Sequence, residues 1–393
     1  MALNEKQQRA LTNAAVAVGL TAVIGLIVVA ILPVEGHVVT EPTPSSSPSP
    51  IVACAPSWTS VDSPDPEDGG SLLLGVVAVA PDDAWAVGGA GDPQAPTSTL
   101  AIRWNGAEWD VVPTPNTGSV ANSFEAVDAL SPDAAWAVGR ASNGVGDVPI
   151  VAQWNGAAWA NMTLPTEVSE GALTGVAAIS TDDVWVVGYA GDTELGEERA
   201  IALHWNGIVW KAAPVQPAIG GGRTGLVAIA STASNDLWAV GYQHNRPVIL
   251  RYDGHVWARI PSDVPGAVTG VTALAPDDAW VVGERVQHWD GKTWSELGTV
   301  RASGMLRGIA AVSPNDVWAV GSRAAGEDAV LKPFVQRWDG ERWRRLNGDG
   351  IAGAVSLAGV SALPDGTLLA VGYRDGKSGR STFTVRGTTC LDA

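Results

Sequence analysis

PDDAWAVGG, at Pro81–Gly89, is the first of seven related phrases in this chain. PDAAWAVG follows at Pro132–Gly139, TDDVWVVGY at Thr181–Tyr189, SNDLWAVGY at Ser234–Tyr242, PDDAWVVG at Pro276–Gly283 and PNDVWAVG at Pro314–Gly321. A degraded copy, PDGTLLAVGY, stands at Pro364–Tyr373. A second phrase trails each of the first six: WNGAEW from Trp104, WNGAAW from Trp154, WNGIVW from Trp205, YDGHVW from Tyr252, WDGKTW from Trp289 and WDGERW from Trp338. An interval of roughly fifty residues is the length of one propeller blade. Seven copies of one unit predict an all-β fold, a seven-bladed β-propeller.

Each unit reads as four strands. In the first, residues 75–80 form strand a and Pro81-Asp82-Asp83 a tight turn. Residues 84–88 form strand b, 100–104 strand c and 109–112 strand d. Pro presets φ for the first turn, and Asn105-Gly106 suits a two-residue type I′ hairpin for the second. Alternation along WAVG puts Trp and Val on one face of the strand and Ala and Gly on the other. Strand a carries a small residue in every copy: Gly75, Ala126, Gly175, Gly225, Gly270, Gly308 and Gly359. Such residues fit where seven strands converge on an axis. Of 18 tryptophans, all but Trp58 lie in the two phrases, which reads as repeated core packing.

The seventh unit lacks its closing Trp, and Cys390, at the end of FTVRGTTC (Phe383–Cys390), falls in the register of Trp343. CAPSWTSVDSP (Cys54–Pro64) supplies the missing strand, because it reproduces WDVVPTP of Trp109–Pro115. The N-terminal strand is thus expected to complete the last blade and close the ring, removing free sheet edges.

Ahead of the repeats, Ala14–Val34 is an uncharged run about 30 Å long as a helix, the thickness of a bilayer core. Lys6 and Arg9 precede it, and Glu35 and Glu41 follow. That bias predicts a single-pass signal-anchor at a cell membrane, with residues 1–13 cytoplasmic and everything after Val34 extracytoplasmic. The alternative is a cleaved signal peptide ending near Val28-Val29-Ala30; the length of the run favours the anchor. Residues 35–53 are rich in Pro and Ser (Pro42, Pro44, Pro48, Pro50), as a semi-rigid stalk would be. Residues 54–393 form the propeller. The two cysteines, Cys54 and Cys390, stand near its two ends, and in an oxidising compartment such a pair reads as a disulfide.

A strand ending in hydrophobic-Gly-Gly, a variable loop, then a Tyr or Trp with a second Trp a few residues on resembles the kelch-type β-propellers, the family of the galactose oxidase central domain. The likeness covers about Cys54–Cys390. Only Gly88-Gly89 keeps the glycine doublet, and WNG or WDG replaces the usual Tyr-Asp. A looser likeness links the repeats to the tryptophan-docking motifs of quinoprotein propellers. The resemblance implies the propeller architecture.

Antiparallel strands put the a–b and c–d turns on one face, where the sequence is nearly constant. The b–c and d–a loops lie on the other, where length and chemistry vary, and recognition is usually carried by such loops. Blade five almost lacks its b–c loop, with only Glu284-Arg285 between the strands, so the rim should be notched there. The residue after each WAVG changes from blade to blade: Gly89, Arg140, Tyr189, Tyr242, Glu284, Ser322 and Tyr373. Arg140, Tyr189, Tyr242, Glu284, Arg285, Ser322 and Tyr373 are therefore the candidate contact residues.

Catalysis finds little support. His204 and His288 share a repeat-equivalent slot with Arg103, Gln153, Arg251 and Arg337, which reads as a solvated strand position. His37 lies on the stalk. No zinc-ligand spacing is present, copper of the galactose oxidase kind needs a tyrosine beside a cysteine, and single PDD turns offer calcium too few oxygens. WDGKTW is similar to the Asp-box of sialidases but is one residue short. No catalytic residue, metal or cofactor is expected. The formal charge of −17 repels phosphate backbones and argues against nucleic acid. The expected function is non-catalytic protein binding, as an accessory subunit of a membrane or cell-envelope complex, with glycan or cell-wall binding as the alternative and a propeller hydrolase or oxidoreductase behind both.

Overall fold

The computed structural model describes residues 57–66, 70–92, 96–191, 196–215, 222–263, 265–299, 304–325, 330–346, 351, 353, 355–376 and 379–388. The expected anchor at 14–34, the stalk at 35–53, and both Cys54 and Cys390 lie outside these residues. Among the described residues no helix is long and apolar enough to cross a membrane.

Seven four-stranded antiparallel sheets make up the fold. Blade one is Leu72–Ala80, Asp83–Gly91, Pro96–Trp104 and Trp109–Val112, in spatial order from the axis outward, and blades two to six repeat that order. The innermost strands touch in ring sequence, and that of blade seven (Val355–Ala362) touches that of blade one. Blade seven takes its outermost strand from the start of the domain: Ser57–Val61 pairs with Gly379–Thr388, from Ser57 opposite Thr388 to Val61 opposite Thr384. Trp58 sits opposite Gly387 as Trp343 sits opposite Trp338. The register of Trp343 therefore belongs in blade seven to Trp58, not to Cys390. An indole needs the strand-d position over the core, and Gly387 leaves room for it: a Cβ there would lie 3.0 Å from the Trp58 ring.

The alternation in WAVG becomes the joint between blades. Ala84 and Ala86 face blade seven, whereas Trp85 and Val87 face blade two. The Trp85 ring centroid lies 4.9 Å from that of Trp154 and 5.0 Å from that of Trp159. Trp185 meets Tyr252 and Trp257 at 4.7 and 5.9 Å, Trp238 meets Trp289 and Trp294 at 5.5 and 5.4 Å, and Trp280 meets Trp338 and Trp343 at 5.4 and 5.8 Å. Trp318 meets Trp58 at 5.8 Å, and Trp136 shares a core with Trp210. Leu369 of the degraded seventh phrase closes the circuit against Trp104 and Trp109. The tilted and edge-on geometries are those that aromatic quadrupoles favour.

Small residues on the inner strands set how tightly the blades converge. A Cβ on Gly75 would lie 3.0 Å from the Ala126 Cα, and one on Gly308 3.1 Å from the Gly359 Cα. In blade four the position belongs to Ala228, opposite Val240, as Gly75 is opposite Val87. Gly225 lies three residues earlier, opposite Tyr242. The spacing to strand b marks the same residue: Ala228 precedes Trp238 by the interval that separates Gly75 from Trp85, and Gly225 does not.

The c–d connection also differs from the type I′ expectation. Trp104 pairs with Trp109, leaving four residues between them. Asn105 Oδ1 accepts the amide N–H groups of Ala107 and Glu108, each at 3.0 Å. That side-chain turn leaves Gly106 alone with a left-handed φ, 94°. Asp253, Asp290 and Asp339 do the same in later blades, which is why Asn and Asp alternate there.

Between blades two and three, the Asp128 carboxylate accepts the Ala178 N–H at 2.8 Å and the Ala129 N–H at 2.9 Å. Ser361 accepts the Ala78 N–H at 3.0 Å across the blade seven to one joint. Burial raises the Asp128 pKa to about 6, against the opposing pull of the two amides.

Two measurements follow. Trp238→Ala should lower the unfolding free energy by about 3–5 kcal/mol in denaturant titrations, because a fully buried indole leaves a cavity at a blade joint. For Asp128, whose folded pKa exceeds its unfolded one, stability is fully present below about pH 4 and is lost as pH rises through about 6. The unfolding free energy of the wild type relative to Asp128→Ser should therefore fall between pH 4 and 7, by at most about 3 kcal/mol; a difference independent of pH would contradict this.

Candidate functional site

The two faces of the ring separate as expected from the antiparallel order. The irregularity in each inner strand turns one residue toward the axis: Leu74, Glu125, Thr174, Val227, Thr269, Arg307 and Ala358. All seven line a central cavity of about 460 Å³. Thr174 and Thr269 spend their hydroxyls on the Leu226 and Leu306 carbonyls of the next blade, at 2.8 and 2.6 Å. Glu125 and Arg307 are the charged members.

Arg140, one step beyond WAVG in blade two, sits opposite Ser123 at the mouth of this cavity. Its Nη1 donates to Asp147 at 2.7 Å, and its Nε lies 3.6 Å from the Glu125 carboxylate. Burial works to lower the Arg140 pKa, but Glu125 and Asp147 outweigh it and hold the guanidinium charged. Burial pushes the Glu125 carboxyl up, and Arg140 opposes the shift. A smaller depression of about 260 Å³ opens beside Arg140, lined by Pro96, Asn122, Ser123 and Asp147 among others.

Tyr189 and Tyr242 continue the rim on blades three and four, both half-buried. Burial raises the Tyr189 phenol, and Asp147, Glu125 and Glu198 add to the shift against Arg140. Burial likewise raises Tyr242, with Glu198 next. Both phenols are therefore neutral hydrogen-bonding groups across the physiological range. Glu198, only 1 % exposed, accepts from Arg223 Nε at 2.6 Å and Nη2 at 2.9 Å. The Arg223 guanidinium lies 5.9 Å from the Tyr242 ring centroid. Blades two to four thus carry a charge-matched rim of two paired arginines, two phenols and a buried glutamate.

The other predicted residues are placed apart. Glu284 is exposed, with its carboxylate against Gly266: a Cβ there would stand 2.9 Å from Oε2. Arg285 turns outward and donates to Glu296 at 2.6 Å. Ser322 is buried, 7 % exposed, and accepts the Ser356 hydroxyl at 3.3 Å across the joint between blades six and seven. Tyr373 is half-buried, with the Arg380 guanidinium 4.4 Å from its ring centroid.

Sequence reasoning missed Glu125, Glu198 and Arg223, which gain meaning only from neighbours on other strands. It also misread the histidine slot as merely solvated. His204 Nε2 lies 2.8 Å from the Asp183 carboxylate and its ring stacks on Trp185 at 4.5 Å and 21°. His288 lies 2.9 Å from Asp278, its ring 4.2 Å from that of Trp280. In other blades an arginine does the same: Arg103 pairs with Asp83 through two 2.9 Å contacts and lies 5.2 Å from the Trp85 centroid. Arg251 with Asp236 and Arg337 with Asp316 repeat the pattern over Trp238 and Trp318. The signal was present in the repeats: in blade two, where Ala134 replaces the aspartate, Gln153 replaces the cation. These histidines are structural clamps over the joint tryptophans. Among the described residues no group of three metal-ligating side chains converges.

No protein-family model matches the chain, and no curated protein sequence does. Solved structures share its architecture. YCF48 bound to D1 peptide aligns with a TM-score of 0.55 and 15 % identity, over 85 % of this chain and 97 % of that one. A catalytically inactive virginiamycin B lyase from Staphylococcus aureus with quinupristin aligns with a TM-score of 0.59 and 12 % identity, over 86 % and 100 %. U3-55K aligns with a TM-score of 0.57 and 11 % identity, over 84 % and 98 %. At such identities the likeness concerns the fold alone, a seven-bladed propeller that elsewhere serves both binding proteins and an enzyme.

Proposed function

We propose that this chain is a non-catalytic, membrane-anchored extracytoplasmic propeller of the kelch type that binds a protein partner through its variable face. The carrying observation is the rim formed by Arg140, Tyr189 and Tyr242, where two neutral phenols and a fixed guanidinium sit at the mouth of the cavity. Tyr and Arg are the residues that dominate protein interfaces. The rim offers recognition rather than reactivity, because each cation is neutralised by a neighbouring carboxylate. A likeness to YCF48 bound to D1 peptide supports the binding reading, and the likeness to a lyase is the counterweight.

Ser57 starts its strand opposite Thr388 on the constant-turn face. Arg140→Ala with Tyr242→Ala should abolish co-purification of the partner from solubilised membranes while leaving the unfolding midpoint within a few degrees. Undiminished recovery of the same partner would count against this rim. A glycan reading draws on the half-exposed Tyr189 and Tyr242 rings; retention of the chain on cell-wall preparations, lost in Tyr189→Ala, would favour it.

Export also makes a Cys54–Cys390 disulfide part of the proposal. The described pairing ends with Ser57 opposite Thr388, close in sequence to both cysteines. Such a bridge would close a loop of hundreds of residues and contribute about 5 kcal/mol in the chain-entropy model. Peptide mapping without reductant should recover the linked pair, and reduction should lower the unfolding midpoint. Two free thiols in protein isolated from the membrane fraction would remove it.

A further inference from the structure

We propose that the low rim of blade five and the half-buried flank of blade six form a docking site for an acidic peptide segment, held by Arg323, Lys332 and Arg307. The inference rests on the variable face being protein-binding, and it names a second region of that face and the chemistry of what it takes.

The notch is real. In blade five, Val282 pairs with Val286 across a three-residue turn, and strands b and c stop at Gly283 and start at Arg285. In blade six, strand b runs on to Ala325 and strand c begins at Val330. The upper part of blade six therefore rises past blade five. Val317 and Ala319 pack against Trp280 and Val282 of blade five, and the two-residue period of a strand puts Arg323 on that same side. Lys332 is its direct cross-strand partner.

Two like charges placed opposite each other on one face destabilise a sheet unless an anion joins them. Among the described residues neither has an ion pair. Arg323 Nε is buried without a hydrogen-bond partner, and Lys332 makes only a 3.5 Å contact to the Gly353 carbonyl. Arg307, an exposed residue lining the central cavity, has no ion pair among the described residues either. It lies three residues along its strand from Gly304, the partner of Arg323, on the order of 10 Å. The acids of blade five are otherwise placed, Glu284 against Gly266 and Glu296 on Arg285.

The contrast with blades two to four decides the ligand. There Arg140 and Arg223 are neutralised internally, whereas here Arg307 is exposed, Arg323 and Lys332 are half-buried, and none of the three has an ion pair among the described residues of a chain of formal charge −17. The acidic whole repels a long polyanion such as nucleic acid. Screening within about 8 Å at physiological salt still lets a local cluster act on a short segment. Two or three carboxylates along three to four extended residues match the span and would give charge-assisted hydrogen bonds to the guanidinium groups.

Fluorescein-labelled hexaglutamate, titrated against the purified full chain by fluorescence polarisation at low and physiological salt, tests this. Wild type should bind it, and hexalysine should fail to compete. Arg307→Gln, Arg323→Gln and Lys332→Gln together should weaken binding at least tenfold. A control removing as many charges elsewhere, Lys211→Gln with Lys292→Gln and Arg342→Gln, should leave it unchanged. Equal weakening in both triple variants, or no binding by wild type, would overturn the proposal. So would binding that appears only in Glu327→Gln with Asp328→Gln, since the loop's own acids would then occupy the cations. Arg140→Ala with Tyr242→Ala should bind hexaglutamate normally, so failure of the blade two to four rim reads out separately.

Discussion

A tryptophan wedged between neighbouring sheets is the contact on which this ring depends. Each blade alone is a four-stranded sheet with two apolar faces and no core of its own. It becomes stable only when the indole of strand b enters the next blade and meets the aromatic pair at its c–d connection. A buried indole supplies several kilocalories of apolar burial per joint, far more than a surface ion pair. Repeating the joint six times, with Leu369 and Trp58 adapting the seventh blade, turns a local packing preference into a closed ring.

The clamp over the joint indoles of blades one and three to six shows how polar residues serve that joint. An aspartate two residues before the tryptophan binds an arginine or histidine on strand c, and the cationic or imidazole ring covers the indole face. Cation–π contact and charge-assisted hydrogen bonding then act on the same three residues. Residues that resemble a catalytic histidine–aspartate pair are thereby accounted for by packing.

Keeping the joints and the constant-face turns invariant frees the opposite rim. There the blades differ in loop length and charge: a neutralised tyrosine and arginine rim on blades two to four, and a cationic flank beside the shortened hairpin of blade five. A rigid ring with an uneven rim can present two chemically distinct surfaces side by side, which a flat repeat could not.

Seven phrases of one period were enough to read the propeller, its closure through Trp58 and the identity of the variable face, because strand alternation and turn chemistry act within a few residues of each other. The clamp too was legible in the repeats, since Ala134 and Gln153 stand together in blade two where blades one and three to six have an aspartate and a cation or histidine. Register was harder. In blade four the small residue of the inner strand is Ala228, at the interval before Trp238 that Gly75 keeps before Trp85, rather than Gly225, and a side-chain turn replaced the expected hairpin. The site depended most on three dimensions. Ser322 is buried and Arg285 turned outward although both occupy rim positions in the chain, while Glu125, Glu198 and Arg223 join Arg140 and the tyrosines from strands and loops distant in sequence. Local rules state which face a side chain leaves; only the packing of whole blades settles what it meets there.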